Sequence, residues 1–134
     1  MRFIGHIAGT ALALSACMGL PTAPDSTERM RADVTKLIEA AQKRTTLWPW
    51  VPAESEVAHV AGYGRTVAPL LLAQLVDDPD NSPGVNWNVQ QHVALALCKI
   101  YGVEEASGHV FMNRAPREHN ASVKSFWSRK VAEQ

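Results

Sequence analysis

Trp87-Asn88-Val89-Gln90-Gln91-His92-Val93-Ala94-Leu95-Ala96-Leu97-Cys98-Lys99-Ile100-Tyr101-Gly102 is the stretch on which the fold turns. Val89, Val93, Ala96, Leu97 and Ile100 recur at i, i+4, i+7, i+8 and i+11. That spacing lines apolar side chains along one face of a helix with about 3.6 residues per turn. Asn88 is placed to cap its start, Gln91 falls at the capping-box position, and Gly102 stops the run.

Working upstream, Thr66 can cap a helix whose Pro69 falls in the first turn, where a missing N–H is harmless. Val67, Leu70, Leu71, Ala73, Leu75 and Val76 make that helix apolar on most sides, so it is expected to be buried. By periodicity alone the two segments pair as antiparallel helices. A further helix is predicted over about 26–43. Asp25 is its N-cap, Glu28 sits three residues on, and Met30, Val34, Leu37, Ile38 and Ala41 form its apolar stripe. Thr45 to Pro52 reads as a stiff, extended connector, with two tryptophans, Trp48 and Trp50, and two prolines within five residues. The two indoles either cover the core or form an exposed contact surface. Glu54 to Ala61 suits a short helix with Gly62 as its C′ glycine. Beyond Gly102 the polarity is mixed and loop is favoured until Asn120. That residue can cap a last helix with Val123, Phe126, Trp127 and Val131 on one side, docking on the hairpin. The expected fold class is all-α, a small single domain of about four to five helices over 25–134.

Gly64-Arg65-Thr66-Val67-Ala68-Pro69-Leu70-Leu71-Leu72-Ala73-Gln74-Leu75, the acidic turn Asp77-Asp78-Pro79-Asp80, and the helix from Trp87 to Gly102 together resemble a HEAT-like repeat. The resemblance covers a hairpin of about 64–102 and implies one antiparallel helix pair. Solenoids need roughly three or more units to bury a continuous core. With one whole unit and a long turn between Asp77 and Trp87, flanking helices are expected to close the hairpin's ends, and an extended superhelix is not expected.

The N-terminus points to a location. Met1-Arg2-Phe3 is a short, positively charged start, and Ile4 to Ala16 is apolar or small apart from His6, Thr10 and Ser15. A spanning helix needs roughly 20 apolar residues and an export h-region roughly 7–15, so this stretch fits export. Leu14-Ser15-Ala16-Cys17 resembles the lipobox of bacterial lipoproteins. The resemblance implies a signal peptide over 1–16 cleaved between Ala16 and Cys17, lipidation of Cys17, and a tether over 17–24. The competing readings are an ordinary cleaved signal and a buried first helix; the Pro/Thr/Ser stretch after the cysteine counts against the latter. Met18 stands where the family's inner-membrane retention signal has aspartate, which implies an outer-membrane location facing the periplasm.

Charge and chemistry narrow the function classes. The formal net charge is zero at pH 7, and loss of residues 1–16 removes only Arg2 among the charged residues. General nucleic-acid binding relies on a strong basic excess, so no nucleic-acid partner is expected. Cys98 has no intramolecular partner once Cys17 carries lipid, and its apolar helical setting predicts a buried, inert thiol. His59, His92, His109 and His119 show no helical zinc spacing; no metal and no cofactor are expected. His92 reads as a partly buried, hydrogen-bonded core histidine. Asp77 to Ser82 lacks the alternation of a calcium loop. Five basic residues between Arg114 and Lys130, against the single acid Glu118, read as a solvated face, with anionic lipid headgroups as the alternative.

The leading expectation is a non-catalytic, membrane-anchored interaction module with an envelope protein as partner and Trp48, Trp50 and Trp87 as its contact residues. The runner-up is a periplasmic accessory or inhibitor protein binding an enzyme or a small ligand between helices. A hydrolase or transferase would need His92, His59 and the Asp77–Asp80 acids to converge.

Overall fold

Every regular element among the described residues is helical in a computed structural model of the chain, which describes residues 25–45, 49–105, 110 and 117–133. The segments read as signal peptide (1–16) and tether (17–24), with Cys17, lie outside them, as does Trp48. The elements run α1 (Ser26–Gln42), α2 (Glu54–Ala61), a 3-10 turn (Gly64–Val67), α3 (Ala68–Leu72), α4 (Trp87–Tyr101) and α5 (Arg117–Ala132). No helix among the described residues is long and apolar enough to cross a membrane.

α1 begins where its cap dictates. Asp25 is extended, and its side chain accepts the Glu28 N–H at 2.8 Å, satisfying one of the orphan donors of the first turn. Met30, Val34, Leu37 and Ala41 are buried, and Ile38 packs at the edge of the same stripe. α2 also occupies the residues expected of it, but its glycine does not. Gly62 stays right-handed at the C-cap, and the left-handed residue is Gly64, with φ +67°, which turns the chain into the 3-10 segment.

α4 is the centre of the domain, packed against α1, α2, α3 and the 3-10 turn. Its predicted stripe is buried at Val89, Val93, Ala96 and Leu97, but so are Ala94, Leu95 and Cys98 on its other sides. A helix apolar all round belongs in the interior. Ala94 and Ala96, both fully buried, let neighbouring backbones approach closely. Gly102 ends the helix at φ +65°, and the Val103 N–H reaches back to the Cys98 carbonyl at 3.0 Å, closing a Schellman motif. The cap at the other end is a correction: Asn86, not Asn88, accepts the Val89 N–H at 3.2 Å from an extended backbone. Asn88 lies inside the helix, buried and otherwise employed.

The expected long helix from Thr66 to Val76 is replaced by the 3-10 turn and the five residues of α3. Its termination has a visible cause. The Gln90 side-chain amide donates to the Gln74 carbonyl at 2.8 Å and accepts the Val76 N–H at 3.1 Å. Those backbone groups are thereby taken from any continuing helix, and Gln74 and Leu75 close on Leu71 and Leu72 in tight i to i−3 bonds. Leu71 and Leu75 are nonetheless buried, as Leu37 and Leu97 are. Each such side chain contributes about 2 kcal/mol relative to exposure.

α5 begins at Arg117 rather than at Asn120, which is buried within the helix with its amide 3.3 Å from Asp80. Val123 and Trp127 are fully buried, and Phe126 and Val131 pack beside them, so the predicted stripe faces inward against α3 and the core. The Trp127 indole N–H donates to the Val110 carbonyl at 3.2 Å, and its ring meets Phe126 edge-on at 5.1 Å.

Candidate functional site

Two polar clusters flank α2, one inside the domain and one on its surface. The interior cluster grows from a single face of α4, where Asn88 and His92 stand one turn apart. The Asn88 Nδ2 donates to the Arg44 carbonyl at 2.6 Å, and its Oδ1 accepts the Trp50 indole N–H at 3.0 Å. His92 Nε2 accepts the backbone N–H of Ala53 at 2.9 Å. Since Nε2 is the acceptor, the ring proton sits on Nδ1, which donates to the Asn88 carbonyl at 2.6 Å. Trp50 meets the His92 ring edge-on at 5.3 Å. His92 is 0% exposed, more deeply buried than the sequence pattern implied. Burial lowers its pKa below the ordinary histidine value, with a further push from Arg44, while the Asn88 carbonyl and Glu56 pull the other way.

The surface cluster joins α1 to α2. Asp33 Oδ2 accepts the Tyr63 hydroxyl at 2.6 Å and lies 2.8 Å from His59 Nε2, while Lys36 reaches its other oxygen at 3.3 Å. His59 and Tyr63 are four residues apart, and their rings meet at 6.0 Å. The Tyr63 hydroxyl and then the His59 imidazole hold the Asp33 carboxyl at about 2, below its ordinary value. The same bond pushes the Tyr63 phenol up. His59 is well exposed at 65%, whereas Asp33 is 13% exposed. Beside this cluster an open groove of about 510 Å³ is lined by Lys36, Glu39, Ala40, Lys43, Arg44 and Glu56, with the two signs of charge interspersed.

Of the three expected contact residues, Trp50 and Trp87 are half-buried. Trp50 is tied to Asn88 by its indole nitrogen, and Trp87 packs on the core at the first position of α4. Trp48 and the lipidation residue Cys17 lie outside the described residues. Cys98 is buried, and desolvation pushes its thiol up to about 12, which keeps it protonated and inert.

His92, His59 and the acids of the 77–80 turn are each engaged with other partners. His92 is engaged with Ala53 and Asn88, and His59 with Asp33. In the acidic turn Asp77 pairs with Lys124 at 3.6 Å, Asp78 accepts from Asn81, and Asp80 receives Asn120. Among the described residues no group of three His, Cys, Asp or Glu side chains could hold a metal ion. The sequence reading missed Asp33, Tyr63 and Asn88. The signals that could have found them are the i, i+4 pairs His59/Tyr63 and Asn88/His92. Comparison of the chain with family models, with curated proteins and with solved structures finds no match.

Proposed function

We propose that this protein is a lipid-anchored, non-catalytic interaction module of the bacterial envelope, held through acyl chains on Cys17 and facing the periplasm, at the outer membrane. The observation that carries the reading is Leu14-Ser15-Ala16-Cys17 closing the short apolar stretch Ile4 to Ala16. More than one acyl chain is needed for stable anchoring, and the resemblance to lipoproteins supplies them. The helical domain supports a binding role because its most reactive side chains are spent on the fold. Both ring nitrogens of His92 hold backbone groups, and Cys98 is sealed in the core. The partner is an envelope protein, met at the tryptophans of the connector and of the α4 start, Trp48, Trp50 and Trp87.

The test is to express the full chain and its Cys17→Ala variant in a bacterial host and to fractionate the envelope. The native chain is expected in the membrane fraction with the mass of an acylated Cys17, and the variant is expected unacylated and in the soluble fraction. An unacylated variant that stays membrane-bound removes the anchoring claim.

A further inference from the structure

We infer that residues 49–53 form a strap whose Ala53 end neutral His92 latches onto α4, and that this end is released when Nε2 takes up a proton. The strap is pinned at two places by two side chains of one helix face. Asn88 holds the Trp50 indole near its start, besides the Arg44 carbonyl just past α1, and His92 holds the Ala53 amide at its end. Its described residues contain no helix, and Pro49 and Pro52 have no N–H to give to any backbone ladder. Val51 projects to solvent at 57% exposure. The last pin also governs α2, because Ala53 is that helix's N-cap and makes no side-chain capping bond.

The latch depends on one lone pair. Nε2 can accept from Ala53 only while it is unprotonated; a proton there sets two N–H donors head to head in a site closed to water. The charged groups facing the ring are Arg44 just past the end of α1 and Glu56 on α2. Its own helix offers the Asn88 carbonyl, which Nδ1–H already occupies. The closed ring therefore resists the proton and the opened, solvated ring accepts it. With its pKa lowered from 6.5 in the closed state, His92 favours closure fully above that value. As pH falls below it, the ratio of closed to open strap drops up to about tenfold per unit until the closed-state pKa is reached.

Amide hydrogen exchange on the full chain between pH 7.5 and pH 5, corrected for the intrinsic pH dependence, reads the latch directly. The Ala53 amide is expected to lose protection, by up to about tenfold per unit, as pH falls below 6.5, while the amides of α1 and the interior of α4 keep theirs. His92→Gln, which retains an acceptor that cannot titrate in this range, is expected to make Ala53 protection independent of pH. Should that variant fail to fold, the native imidazole signals decide. His92 becoming protonated while the Ala53 amide stays protected overturns the proposal. So does Ala53 protection that holds constant to pH 5, or that falls together with α1 and α4 as one global unfolding.

Discussion

His59 and His92 both reach across to a neighbouring segment through Nε2, at 2.8 and 2.9 Å, yet the two contacts work in opposite directions. His59 stands in solvent against a carboxylate, which can only accept, so its Nε2 is the donor. His92 stands out of water against an amide N–H, so a proton on its ring destroys the contact. Similar distances therefore ask opposite things of the ring nitrogen, and the difference lies in whether the partner accepts or donates. Burial sets the stakes as well. Water can replace a lost partner around Asp33 but cannot readily reach the Ala53 amide that His92 holds, both residues being 0% exposed.

The comparison is broken most directly at Asn88. Asn88→Ala leaves the Arg44 carbonyl and the Trp50 indole N–H without their partner in a site where Asn88 is only 5% exposed. A loss of about 3 kcal/mol is expected in urea unfolding followed by circular dichroism. A cost no larger than that of removing Asp33 would mean that the strap contributes little and that burial does not separate the two clusters.

What the sequence discloses follows how local each cause is. The start of α1 is legible because Asp25 and the N–H it caps are three residues apart, and the α4 stripe is legible because periodicity repeats within one segment. Asn86 and Asn88 show where local information ends. Both are able caps, and the choice falls to the one not needed elsewhere, a demand made from residues 44 and 50. Similarly, Leu70 to Val76 has the composition of a helix, and what ends it is Gln90, at least 14 residues away along the chain. The surface cluster was half visible: His59 and Tyr63 share a helical spacing, but only the packing of α1 on α2 brings Asp33 between them.

The intermediate effect sharpens the exposed side of the comparison. Asp33→Asn removes the charge that His59, Tyr63 and Lys36 converge upon, and about 1 kcal/mol is expected to be lost near neutral pH, the contacts being screened by water. The sign of its pH dependence follows from a folded-state value of about 2, below the ordinary 3.8. A depressed carboxylate stabilises the fold above its ordinary value and loses that contribution as pH falls through the folded one. The gap between native chain and Asp33→Asn should therefore close between about pH 4 and pH 2. A gap that persists at pH 2 would assign the effect to packing rather than to the carboxylate.

The smallest effect separates the two neighbours that hold Asp33. Tyr63→Phe keeps a ring of the same shape where Tyr63 packs beside the core and removes only the hydroxyl that donates to Oδ2 at 2.6 Å. Because that hydroxyl is the largest cause of the depressed carboxyl, the Asp33 midpoint, followed by carboxyl carbon NMR, should rise from about 2 partway towards 3.8. His59 remains in place, so the rise is expected to stop short of the ordinary value. An unchanged midpoint would leave His59 and Lys36 as the groups that hold the carboxylate.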